Sequence, residues 1–183
     1  TVAETIGRVP KGKHAKTFVY RVHDVPDPEK LDNLNTFILR FGHKIKTSGT
    51  KVEIAKSINA LLDRVKGRPE ENLIETIAVR SMTKAVYSTK NVGHYGLAFD
   101  YYTHFTSPIR RYPDLMVHRL LDRYLIEHGP SVDQAKTEEE CKHCSKMEQV
   151  ATNAERDSVK YKQVEFMSDK VGKVYDAVIS GVT

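Results

Sequence analysis

Several features are missing from this sequence, and each absence narrows what the chain can be. No apolar run among its 183 residues approaches the roughly 20 needed for a membrane-crossing helix, and no signal-peptide pattern opens it. No membrane span and no membrane partner are expected. Cysteine is almost absent: Cys141 and Cys144 are the two in the chain, too few for a disulfide scaffold. Their C-x-x-C spacing invites a zinc or redox reading, but zinc would need two more ligands at suitable spacing, and the eight histidines are scattered. The surrounding segment has helical periodicity, in which i and i+3 simply share a face. Both thiols are therefore expected to be small buried or half-buried residues in a reducing cytoplasm, with no metal bound. Internal repeats, low-complexity tracts and long linkers are missing too.

What remains is a polar globular chain, 39% hydrophobic and 29% charged, long enough for one domain with a core. It opens on Thr1 with helix-compatible residues at once, as if cut from something longer. The net charge of +5 is weakly compatible with a polyanion partner. Residues 40–68 carry eight basic side chains (Arg40, Lys44, Lys46, Lys51, Lys56, Arg64, Lys66, Arg68) against Glu53 and Asp63, and Arg8, Lys11, Lys13, Lys16 and Arg21 form a second basic run. Solvated surface accounts for most such lysines; some can track a nucleic-acid backbone.

Periodicity predicts a mostly helical α+β (mixed α/β) chain with a few short strands. A helix tail covers residues 1–6, a loop 10–13, and an extended segment 18–23. Asp27 before Pro28 is an N-cap followed by an N1 proline, predicting a helix over 28–41 that Gly42 stops. Thr50 and Glu53 form a capping box ahead of the stripe Ile54, Ile58, Leu61, Leu62 and Val65. A further helix is expected from Pro69 to about Tyr87. Thr137 and Glu140 form a second capping box, opening a long helix to about Ser168 with the narrow stripe Cys144, Met147, Ala151, Ala154 and Ser158. Residues 172–179 have the pattern of a strand.

The chemistry concentrates in residues 94–124. Tyr95, Leu97, Phe99 and Tyr101 alternate, which predicts a strand. Thr106-Ser107-Pro108 then signals a helix or turn start, with Arg110 and Arg111 in its first turn. Pro113 would break a continuous helix, so a short turn at 108–111 and a regular helix from Tyr112 are expected. Cations at a helix N-terminus oppose the usual preference for acids. Together with free N–H groups and a hydroxyl they suit a phosphate. The plainer alternative is a solvated face, or an ion pair with Asp100 or Asp114.

This stretch resembles the signature of the RNB family of 3′-to-5′ exoribonucleases, which includes ribonucleases II and R. The matching runs are Gly93-His94-Tyr95-Gly96-Leu97, then Tyr102 through Leu115, then His118-Arg119. Tyr20 to Asp24, Pro28 to Leu31, Arg80 to Met82, Ala85 to Ser88 and Ala154-Glu155-Arg156 resemble other family elements, with details nearer the ribonuclease R branch. The resemblance implies that residues 1–171 are the C-terminal part of an RNB catalytic domain, and that 172–183 begin the first strand of an S1 RNA-binding domain. It implies processive hydrolysis of single-stranded RNA to nucleoside 5′-monophosphates, with Mg²⁺ held by clustered aspartates. Here the aspartates are dispersed, so those ligands, and the aromatic clamp for terminal bases, are expected outside these residues.

By the same resemblance Arg110 is the arginine that reaches the scissile phosphate, and Ser107, Arg111 and Glu155 are RNA-binding candidates. From the residues alone, Ser107 and Thr106 suit capping of the turn or donation to a phosphate, Arg111 a structural or backbone contact, and Glu155 an ion pair with a basic neighbour; the channel position of Glu155 is what the resemblance implies. His104 and His118 suit core or supporting roles. A non-catalytic RNA-binding module of the same descent is the alternative function. A half domain would also expose surface that favours self-association.

Overall fold

The computed structural model describes residues 1–10 and 14–176. Its contacts divide into two units: one joins Thr1–His23 with Ala85–Val174, the other is built on Asp24–Lys84. The loop residues Lys11 to Lys13 and the end of the expected last strand, Ala177 onward, lie outside the described residues.

The second unit holds three helices whose ends are set by local chemistry. Helix α2 (Pro28–Leu39) begins where the Asp27 carboxylate accepts the Glu29 N–H at 2.9 Å, with Pro28 in the first turn. At Gly42 the chain reverses with φ at 77°, a conformation open to glycine. Helix α3 (Lys51–Val65) starts with both halves of the capping box: the Thr50 hydroxyl accepts from the Glu53 N–H, and Glu53 accepts from the Thr50 N–H at 2.9 Å. Hydrogen bonds from Thr50, then Lys46, hold the Glu53 carboxyl down at about 2. Helix α4 (Glu71–Ser81) packs on both others. Leu31, Leu34, Ile38, Ile54, Ile58, Leu61, Val65 and Ile74 form their shared core, each contributing about 1.5–3 kcal/mol by burial.

In the first unit, strand β1 (Tyr20–Val22) pairs antiparallel with β2 (Val86–Ser88), placing Arg21 opposite Tyr87. Helix α1 (Val2–Gly7) lies against this pair: a Cβ on Gly7 would meet the Tyr20 hydroxyl at 2.6 Å and the Tyr101 ring at 2.8 Å. Helix α5 (Tyr112–Leu121) passes into a π-helical turn at Asp122–Ile126. Helix α6 (Gln134–Met167) packs on β2 and is about 50 Å long at 1.5 Å per residue. Phe18, Val19, Tyr20, Tyr87, Val117, Leu120, Tyr124 and Cys141 form the core.

The mixed, mostly helical class is as expected, and so are α2, α3 and the break before Tyr112. Pro113 falls in the first turn of α5, where its missing N–H has no helical partner to lose. Five expectations need correction. Residues 95–101 are not a strand: Tyr95–Leu97 form a 3₁₀ turn, and Ala98 is left-handed at φ 54°. Reciprocal backbone bonds between His94 and Phe99 close this loop, while Tyr95 N–H reaches the His23 carbonyl. The alternation thus marks no pleat: Tyr95 and Tyr101 are half-buried, whereas Leu97 and Phe99 are exposed. The α4 helix stops at Ser81 instead of Tyr87, because residues 86–88 pair with β1. The α6 helix begins three residues before Thr137, since Asp133 accepts the Lys136 N–H at 2.6 Å and Thr137 is buried inside the first turn. In its far half the small-residue stripe covers nothing: Ala151, Ala154 and Ser158 are exposed. Residues 173–176 carry no strand.

Candidate nucleic-acid interface

The turn before α5 is fixed by its own backbone. The Ser107 carbonyl accepts the N–H groups of Arg110 at 3.2 Å and Arg111 at 3.0 Å. The Ser107 N–H donates to Asp114 Oδ2 at 2.7 Å. Asp114 is wholly buried, and the same oxygen accepts Arg111 Nη2 at 2.9 Å. Arg110 is exposed, and its side chain has no ion pair or hydrogen bond among the described residues. Two adjacent arginines therefore have opposite situations: one is bound to a buried carboxylate, the other is open.

Arg110 and Arg111 face a cleft of about 800 Å³ whose floor includes Tyr87 and whose far wall is α6, through His143, Glu148, Thr152 and Glu155. The expected site residues Arg110, Arg111 and Glu155 thus line one cavity. Ser107 does not line it; its backbone holds the turn instead. Thr106 is exposed.

Tyr87 and Glu148 line this cleft and were not singled out from the sequence; behind them lie Arg21, read there only as part of a basic run, and His104, in the supporting role expected of it. Arg21 Nη1 donates to Glu148 Oε2 at 2.6 Å, and its guanidinium lies 4.6 Å from the Tyr87 ring centre. The Tyr87 hydroxyl meets His104 Nδ1 at 2.8 Å. Burial, then the nearby Arg111 and Arg21 charges, lower the His104 pKa to about 4, leaving it neutral at neutral pH. Burial pushes the Tyr87 phenol up to about 12. This group links β1, β2 and α6 behind the cleft, and only the β1–β2 register, invisible in local periodicity, could have revealed it. His118 packs elsewhere: its ring stacks on Phe105 at 4.2 Å, with Nε2 at 2.9 Å from the Phe105 carbonyl.

Cys141 is buried and Cys144 half-buried on α6. Burial raises both thiols, Cys141 to about 12, so neither is an activated nucleophile. Among the described residues no three His, Cys, Asp or Glu side chains group closely enough to hold a metal ion.

An open guanidinium on a rigid turn, facing a cleft with aromatic and polar walls, is the equipment of a phosphate-binding surface. Comparison with known proteins is consistent with that chemistry. The family model of the RNB domain matches residues 3–127, and the chain belongs to the RNB family. It is 42% identical over 168 residues to ribonuclease R of Aquifex aeolicus, covering 90% of this chain and 23% of that protein. Mycoplasma genitalium RNase R in complex with ribose-methylated single-stranded RNA superposes with a TM-score of 0.78 at 28% identity, covering 100% of this chain and 28% of that one. Yeast Ssd1, a pseudonuclease, matches at a TM-score of 0.62 and 28% identity, over 78% of this chain and 17% of that one. The chain spans about a quarter of the length of the ribonucleases R it matches.

The family's nucleases are metal-dependent hydrolases. The residues described here do not fit such a metal centre: hard divalent cations require several converging carboxylate oxygens, and the carboxylates of the cleft, Glu148 and Glu155, lie seven residues apart with Glu148 paired to Arg21.

Proposed function

We propose that this chain is part of a ribonuclease R-like 3′-to-5′ exoribonuclease, which hydrolyses single-stranded RNA processively to nucleoside 5′-monophosphates in the cytoplasm. Residues 1–171 are the C-terminal part of its catalytic domain, and residues from 172 open an S1 RNA-binding domain. Mg²⁺ serves the whole enzyme through carboxylates outside these residues, and the chain by itself is inactive. Exposed apolar side chains such as Leu125 and Ile126 offer a surface for self-association.

The observation that carries this reading is Arg110: a planar fork of donors, free of any partner among the described residues, on the wall of the cleft. Such a fork can hold a phosphate by two parallel bonds and stabilise charge that builds on its equatorial oxygens during displacement. Arg111 and Glu155 form the channel wall beside it, and Ser107 keeps the turn in place. A second reading, an RNA-holding module without catalysis, is favoured by the likeness to a pseudonuclease.

The test is Arg110→Lys in the full-length protein, followed by single-turnover kinetics. Lysine keeps the charge but loses the fork. The expected result is a fall in kcat of about 10²–10³ with RNA affinity little changed. A raised KM at unchanged kcat would make Arg110 a positioning contact, and an enzyme inert before substitution would favour the non-catalytic reading.

A further inference from the structure

We infer that Asp114 selects which of the two adjacent arginines meets the ligand, by holding Arg111 away from the anion and leaving Arg110 presented. The inference rests on the reading of Arg110 as the phosphate-facing group and adds a positioning residue to it. Arg111 and Arg110 share a turn and a cleft wall, yet only Arg111 has a carboxylate partner, and that partner has no solvent exposure. A fully buried carboxylate needs a cation beside it, so the Arg111 charge is committed to the protein.

The same Asp114 oxygen that takes Arg111 Nη2 at 2.9 Å takes the Ser107 N–H at 2.7 Å. The Ser107 carbonyl in turn accepts the amides of Arg110 and Arg111. One buried oxygen thus fixes the backbone that presents Arg110 and neutralises the side chain that would compete with it. The pairing is a single bond rather than a fork, for Arg111 Nε and Asp114 Oδ1 are buried without hydrogen-bond partners. Arg111 should therefore be released once the carboxylate is neutralised. A cleft with one presented cation grips one phosphate; a second free guanidinium would strengthen the hold on a strand that has to move on.

The test uses the 183-residue chain, a 5′-labelled single-stranded oligoadenylate, and two readouts. In wild-type protein, phenylglyoxal labelling read by mass spectrometry should modify Arg110 readily and Arg111 slowly, with RNA shielding Arg110. By fluorescence anisotropy over a salt series, Asp114→Asn should steepen the plot of log affinity against log salt by about 0.7, the increment for one further phosphate contact on a single strand. Adding Arg111→Met to Asp114→Asn should return the slope to the wild-type value, which loss of fold stability would not do. The inference is overturned if Asp114→Asn keeps a native circular-dichroism spectrum and an unchanged slope, or if the steepening survives Arg111→Met. Equal labelling of both arginines in the wild type also overturns it, and that arm decides even where the variants do not fold. RNA that leaves Arg110 labelling unchanged overturns the phosphate-site reading itself, whereas rapid Arg111 labelling overturns only the selection.

Discussion

Replacing Glu148 by alanine should weaken the fold and strengthen RNA binding together. Glu148 holds Arg21 at 2.6 Å, and the Arg21 side chain is only 13% exposed, lying over the Tyr87 ring. A hydrogen bond to a charged group contributes about 1.5–3 kcal/mol. Glu148 is itself 38% exposed, so solvent screening reduces that to roughly 1–2 kcal/mol. The cation–π contact survives the change, and alanine returns a few tenths of a kcal/mol as the better helix former. A net loss of about 1 kcal/mol is expected, lowering the transition temperature by about 2–4 °C for a protein of this size. The ligand effect has the opposite sign. For a phosphate about 10 Å away, removing one negative charge from the cleft is worth ~0.4 kcal/mol in water, about twofold in affinity, and less at high salt. Urea denaturation followed by circular dichroism gives the first quantity, and anisotropy with single-stranded RNA at low and high salt the second. An unchanged urea midpoint would make Arg21–Glu148 an ordinary surface pair. Weaker RNA binding would make Glu148 a ligand contact, and either result would refute the reasoning.

His104 is held neutral in the fold, at about 4 against an ordinary value near 6.5, so the unfolded chain binds its proton first. Its contribution to stability should be complete above pH ~6.5 and lost progressively as pH falls toward about 4; a His104→Asn variant with the same acid dependence in urea titrations would contradict this. Elemental analysis should find no stoichiometric zinc in the protein or in a Cys141→Ser/Cys144→Ser double variant, and zinc that disappears on substitution would overturn the reading of both thiols as packing residues. Cys141→Ser alone should destabilise by about 1–3 kcal/mol through an added buried hydroxyl, measurable as a shift in urea midpoint.

Much of the second unit was legible because its signals are local. Asp27-Pro28 and Thr50-x-x-Glu53 set helix starts by bonds within three residues, and Gly42 supplies a φ that few other residues adopt. Pro113 likewise announced the turn that presents Arg110. The errors lie where distant residues compete with local pattern. Residues 82–88 continue a helical stripe until Val86–Ser88 find β1, some 65 residues earlier, and the pairing stops the helix. Thr137 mimics a cap, yet Asp133 reaches the free amides first. The alternation of Tyr95, Leu97 and Phe99 resembles a strand, but the His94–Phe99 bridge and left-handed Ala98 fold it into a tight loop. The site divides the same way. Arg110, Arg111 and Glu155, named by resemblance, fall on one cleft, whereas the Arg21–Glu148 and Tyr87–His104 pairs form only once β1, β2 and α6 have packed together.

The most direct test of the central claim incubates the purified 183-residue chain with 5′-labelled single-stranded RNA and Mg²⁺ or Mn²⁺, resolving products nucleotide by nucleotide. Hydrolysis of this class depends on cations held by converging carboxylates, and the described residues offer no such group. The expected result is RNA binding that weakens steeply with salt, that Arg110→Ala reduces, and that produces no shortened RNA. A metal-dependent ladder of shortened products from the wild-type chain, absent from an Arg110→Ala preparation purified in parallel, would contradict it and place a complete active site within these residues.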